Sequence, residues 1–175
     1  MKETLVINLI GGPGSGKSTC ASGVFYKLKQ LGVNCELSLE FAKDKVWEGS
    51  VDVLDDQLYV FGKQYHRLYR LNGKVDIIIT DSPLLVSILY NKTKSNYFND
   101  LVVEQYNSFN NLMFFINRPD EYQTEGRLQK KEAAKTIDMM TKDMLEKYNI
   151  PFEEVSCEHA VDYIVNKINS ILKTK

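Results

Sequence analysis

The segment Gly11-Gly12-Pro13-Gly14-Ser15-Gly16-Lys17-Ser18-Thr19 carries the complete pattern G-x-x-x-x-G-K-[ST] immediately after the apolar run Leu5-Val6-Ile7-Asn8-Leu9-Ile10. A buried strand that opens through a glycine loop into a helix is the local structure that phosphate binding requires. Gly11, Gly14 and Gly16 give the loop backbone angles that side chains forbid, so successive N–H groups can turn inward around an anion. Pro13 has no N–H, which places the donors from Gly14 through Ser15, Gly16, Lys17 and Ser18 to Thr19; Gly12 completes the cradle. Lys17 is read as a point charge for β- and γ-phosphates and Ser18 as a ligand for Mg²⁺. The helix that begins near Lys17 adds its positive end beneath the anion.

A chain of 175 residues forms one domain able to bury roughly 70% of its unfolded surface. The formal net charge of −1 supplies no global positive field for nucleic acid or an anionic membrane. Cys20, Cys35 and Cys157 are odd in number and lack any metal-ligand spacing, so they read as reduced thiols in a cytosol-like compartment. No apolar run approaches about eighteen residues and the N-terminus reads as a strand. A soluble, cytoplasmic protein is expected, in the host cytoplasm if it is phage-encoded.

Five short apolar segments, Leu5–Ile10, Val33–Leu39, Val75–Thr80, Leu112–Asn117 and Phe152–Cys157, alternate with helical patterns. Such alternation predicts a parallel sheet covered on both faces. Leu58, Phe61, Tyr65 and Leu68 recur at helical spacing within 55–71, as do Val161, Ile164, Ile168 and Ile171, and both stripes read as core. Gly32, Gly73 and Pro151 mark helix ends. Residues 118–131 are polar and charged, with four cations, Arg118, Arg127, Lys130 and Lys131, directly after the fourth strand, and read as a lid over phosphates.

In open α/β sheets ligands gather beyond the carboxyl ends of the strands. Glu40 follows the second strand and Asp81 the third, so both are expected near Lys17. Asp81 reads as a holder of Mg²⁺. Its neighbour is Ser82 rather than a second carboxylate, which favours transfer to an acceptor over hydrolysis. Leu84 stands where a GTP switch needs glycine, and Asn91-Lys92-Thr93-Lys94 ends in the wrong charge for reading guanine. Either Glu40 or Asp81 is placed to take the acceptor's proton. Glu40 also reads as a helix N-terminal carboxylate. Trp47, Tyr65 and Tyr69 are candidates to stack on a base, and His66 reads as structural or exposed.

The glycine loop, Glu40-Phe41-Ala42-Lys43, Asp81-Ser82 and Gly126-Arg127 together resemble the P-loop kinases related to the nicotinamide riboside kinase domain of bacterial NAD-biosynthesis regulators. Small phage-encoded members are similar in length. The chain is also similar to thymidylate-kinase-type enzymes, including phage kinases that act on a hydroxymethylated pyrimidine in DNA. The resemblance implies that Glu40 faces the acceptor and that Arg127 meets ATP phosphates; Lys43 stands where arginine is common.

The expected fold is a three-layer α/β P-loop NTPase domain over residues 1–175, with a five-stranded parallel sheet of order 2-3-1-4-5 and the lid after strand 4. The expected activity is an ATP- and Mg²⁺-dependent kinase with Lys17, Glu40, Asp81 and Arg127 catalytic. Gly12, Gly14, Ser15, Gly16, Lys17, Ser18, Thr19 and Arg118 are expected at ATP, and Ser18 and Asp81 at the metal. The partners are then ATP and a nucleoside, nucleotide or modified-DNA acceptor, with no membrane and with room for a homodimer. Arg67, Arg70, Lys74, Lys92 and Lys94 are the cations that a DNA acceptor would use. A binding module that closes on ATP to present a surface is the alternative without catalysis.

Overall fold

The computed structural model describes residues 4–118 and 131–173. Five parallel strands form one sheet: β1 (Leu5–Ile10), β2 (Cys35–Ser38), β3 (Ile77–Thr80), β4 (Asn110–Asn117) and β5 (Glu153–Ser156), in the order β2-β3-β1-β4-β5. This is the expected order. β1 lies at the centre, with Leu5 opposite both Ile77 and Asn110 in the parallel register. Every residue of β1 is buried, as a strand covered on both faces must be.

Alternation along β1 divides the core in two. Leu5, Ile7 and Leu9 join one cluster with Val24 and Leu28 of α1 (Lys17–Gln30) and Ile164 and Ile168 of α7 (Ala160–Lys173). Val6 and Ile10 face the other cluster. There they meet Phe61 and Leu68 of α3 (Gln57–Tyr69), Val102 of α5 (Asn96–Asn107) and Leu145 of α6 (Lys131–Lys147). Between Val6 and Ile10, the buried Asn8 donates to Val6 O and to Asn111 Oδ1 at 3.1 and 2.9 Å, which is how a polar group is kept inside an apolar layer. The C-terminal stripe expected as core therefore packs as read.

The second strand is shorter than the sequence suggests because β2 is an edge strand, paired with β3 over Cys35–Ser38 alone. The helical stripe over 55–71 also divides. A 3₁₀ turn, Val51–Asp55, precedes Asp56, whose carboxylate accepts from Tyr59 N at 3.1 Å and caps α3. Leu58 is consequently 62% exposed, lining a surface cleft with Phe98 and Leu101 rather than joining the core. No helix among the described residues is long and apolar enough to cross a membrane.

Candidate functional site

The glycine loop joins the C-terminal end of the central strand to the N-terminus of α1. Gly16 (φ 90°) is the N-cap, it offers no side-chain cap, and the first turn of α1 contains no acidic residue. The first amides of that helix therefore remain available to an anion. Lys17 Nζ donates to Gly11 O at 2.7 Å and Gly12 O at 3.0 Å. Burial lowers the pKa of this amine, against the opposing pull of Glu40, Asp81 and Asp138. Ser15 is buried and Thr19 exposed on the first turn.

Asp81 follows β3 and is 3% exposed. Its Oδ2 accepts from Ser18 Oγ at 2.6 Å, while Oδ1 has no hydrogen-bond partner among the described residues. A buried carboxylate oxygen without a partner is costly, and a hard cation would satisfy it. Two oxygen donors of this kind, with phosphate and water supplying the rest, suit Mg²⁺, which favours one or two carboxylates plus substrate oxygens. No cluster of three or more His, Cys, Asp or Glu side chains able to hold a metal occurs among the described residues.

Glu40 sits one strand further out than Asp81, because β3 lies between β2 and β1. Both nevertheless line a cleft of about 250 Å³ with Lys17, Pro13, Tyr90 and Thr141. Glu40 is the N-cap of α2 (Phe41–Trp47) but makes no capping side-chain bond, so the helix does not occupy its carboxylate. The turn that carries it is fixed instead by Gln64, 4% exposed, which accepts from Phe41 N at 3.0 Å and donates to Leu39 O at 3.4 Å. Arg67 adds a bond to Leu39 O at 2.9 Å. Burial raises the Glu40 pKa, and the Asp81 charge raises it further, with Lys17 and Lys43 pulling the other way.

A second cleft, about 570 Å³, shares Glu40, Ser82, Val86 and Tyr90 with the first and extends to Trp47 and Leu54. Trp47 is 83% exposed and is the stacking candidate that reaches this cleft. Tyr65 and Tyr69 stack on each other at 5.8 Å, and Tyr65 meets the core through Phe109 at 6.0 Å, so they line neither cleft. His66 is exposed. Tyr90 joins the two clefts without any sequence signal beyond its aromatic character.

Arg118 and Gly12, both expected at ATP, meet the same carboxylate, Asp138. Arg118 donates to Pro13 O at 3.0 Å, Ala134 O at 3.4 Å and Asp138 Oδ2 at 2.8 Å, with its side chain 9% exposed. The N–H of Gly12 donates to Asp138 Oδ1 at 2.6 Å. A buried guanidinium is held where it finds a carboxylate and carbonyls, and that requirement fixes Arg118 against the loop. Asp138 was missed because an acidic residue on an amphipathic helix usually marks a solvated face. Its signal is positional: it falls in the stripe Ala134, Asp138, Thr141, Leu145 of α6, whose other members are buried. Arg127 and nearly all of the 118–131 segment lie outside the described residues. Of the five cations considered for DNA, Arg67 pairs with Asp44 and Lys92 with Asp55. Cys20, Cys35 and Cys157 are free thiols, and burial pushes the Cys20 thiol up to about 12.

A family model described as an AAA domain matches residues 6–161. No curated protein sequence matches the chain. Among solved structures, a deoxyadenosine kinase from M. mycoides, with dCMP and dCDP bound, superposes at a TM-score of 0.58 and 19% identity, covering 94% of this chain and 99% of that one. A thymidylate kinase from Ehrlichia chaffeensis gives 0.64 and 16% identity over 95% and 99% of the two chains. NadR protein in complex with NR gives 0.66 and 16% identity over 92% of this chain, which spans 50% of that one. At these identities the likeness is one of fold.

Proposed function

We propose that this chain, which belongs to the AAA domain family, is a single-domain P-loop kinase over residues 1–175 that moves the γ-phosphoryl group of ATP to a hydroxyl of a nucleoside or a similarly uncharged compound. The observation that carries this reading is the cleft that joins Lys17, Asp81 and Glu40 and opens into the larger one lined by Trp47. An anion cradle, a carboxylate and room for an acceptor are what in-line phosphoryl transfer requires.

The amides from Gly14 to Thr19 hold the β- and γ-phosphates, and Lys17 exchanges its two loop carbonyls for phosphate oxygens. Ser18 and Asp81 would hold Mg²⁺, which when bound neutralises charge on the phosphates. Glu40 takes the proton of the acceptor hydroxyl as that oxygen forms its bond to the γ-phosphorus. The bond from the γ-phosphorus to the β–γ bridging oxygen breaks, and its electron pair leaves with ADP. The NadR and deoxyadenosine kinase likenesses support a nucleoside acceptor. So does charge: in the larger cleft Glu40 and Asp55 balance Lys43 and Lys92 among the described lining residues, and Lys92 is already paired with Asp55. Lys43 has no ion pair among the described residues, and the Glu40 charge across the cleft offsets it.

Incubation with γ-labelled ATP and Mg²⁺, against pools of nucleosides, nucleotides and modified duplex DNA, tests the proposal. Label is expected in the nucleoside pool. Label in nucleotides or DNA would refute the uncharged acceptor, and a nucleotide-dependent change in conformation without any transfer would leave the binding module as the function.

Glu40→Gln is expected to lower kcat by about 10²–10⁴-fold, the range of a general base, with little change in the KM for ATP. The wild-type rate should fall as pH drops through the Glu40 pKa, because protonation removes the base. Since burial and Asp81 raise that pKa, the acid limb should lie on the alkaline side of an ordinary glutamate, and the glutamine variant should lack it. An unchanged turnover at saturating acceptor would remove Glu40 from this role.

A further inference from the structure

The glycine loop is gripped from outside by a charged pair that does not face the clefts. Asp138 Oδ1 takes the Gly12 N–H at 2.6 Å, and its other oxygen takes Arg118 Nη2 at 2.8 Å. Arg118 Nη1 in turn holds Pro13 O at 3.0 Å. The Gly12–Pro13 unit is thus tied to α6 through both an amide and a carbonyl. The contact is close enough that a Cβ on Gly12 would lie 2.6 Å from Asp138 Oδ1, 2.8 Å from Ala134 O and 2.9 Å from Arg118 Nη2. Glycine at position 12 therefore permits the close approach of α6.

We propose that Asp138, neutralised by Arg118, is a positioning residue that sets the phosphate loop in its anion-binding shape by occupying the Gly12 N–H. This rests on the kinase reading above. A carboxylate on that N–H excludes a phosphate oxygen from it, so the donors for the triphosphate begin beyond Pro13, at Gly14. Arg118 keeps the Asp138 charge from repelling the incoming anion, and its grip on Pro13 O orients the peptide that leads into those donors. Without the pair, the loop loses the bonds at Gly12 N–H and Pro13 O, and ordering that turn falls to the nucleotide at the moment of binding. The loss then appears in nucleotide affinity, not in the chemical step once the site is filled.

Calorimetric titration of a non-hydrolysable ATP analogue with Mg²⁺ into the full chain tests this, alongside steady-state kinetics. Asp138→Ala is expected to weaken analogue binding by about tenfold or more, as loss of a charge-assisted hydrogen bond should. Its kcat at saturating ATP and its KM for acceptor should stay within about threefold of wild type. A merely structural residue would shift all three together. Arg118→Ala/Asp138→Ala should lose less affinity than the sum of the two single losses, because the two act as a unit. Asp138→Asn, which keeps the shape and one accepting oxygen, gives the answer if the alanine variant fails to fold, and weaker binding is expected of it too. Analogue binding as tight as wild type in either folded variant, or a loss confined to kcat, overturns the positioning role. A wild-type chain that ignores the analogue overturns the kinase reading and this inference with it.

Discussion

Lys17→Ala should remove phosphoryl transfer while leaving the fold intact: kcat is expected to fall by about 10²–10³-fold at least, the cost of deleting one preorganised donor to a developing charge. Lys17 has this weight because of where its amine rests. It sits on Gly11 O and Gly12 O, within a cleft shared with both carboxylates, and water does not replace it there at equal strength. Stability should respond in the opposite sense to activity. Burial depresses the Lys17 pKa, so between the folded and unfolded values the folded chain binds fewer protons than the unfolded one. Stability then rises with pH across that window. The alanine variant lacks this rise and should melt at or slightly above the wild-type temperature near neutrality. Single-turnover kinetics with thermal melts across pH would check both halves. A kcat within about threefold of wild type would remove Lys17 from the transition state.

Asp81→Asn should likewise separate function from folding. Asp81 is nearly inaccessible, one oxygen is held by Ser18, and the other has no partner among the described residues. A carboxylate kept in that condition contributes little to the folded state, since an unsatisfied buried group costs on the order of 1–3 kcal/mol. The amide keeps the Ser18 contact and removes the buried charge, so the melting temperature should hold or rise. Mg²⁺-dependent turnover should fall by about 10²-fold or more, as expected when the metal loses a charged ligand. The Mg²⁺ concentration needed for half-maximal nucleotide binding, read by calorimetry, should increase. A variant that lost stability and kept its Mg²⁺ dependence would make Asp81 a structural residue.

The parts of the site that were legible in the sequence are those whose chemistry is local. The glycine pattern reads directly because the loop must turn within a few residues into the N-terminus of a helix. Asp81 reads because an acid at the end of an apolar strand emerges at the ligand-bearing edge of the sheet. Glu40 was legible by the same rule, although its two readings, cap or site, parted only when its carboxylate proved to make no capping bond. Leu58 shows where periodicity misleads: its spacing fits the stripe of Phe61 and Leu68, yet the cap at Asp56 starts the helix so that its first turn lines a cleft. Gln64 and Asp138 were invisible as functional residues, because each is a polar member of an otherwise buried stripe, and its partner comes from another element.

The sequence alone determined the order of strands and helices, the phosphate loop and the acids that follow the strands, because alternation and glycine spacing act over a few residues and report directly on the backbone. Tertiary structure alone decided what Gly12 and Arg118 do. Gly12 N–H and Asp138 are 126 residues apart in the chain, and Arg118 and Pro13 are 105 apart. Such contacts come from the packing of α6 against the loop, and a buried arginine is held by the carboxylate and carbonyls that this packing brings to it.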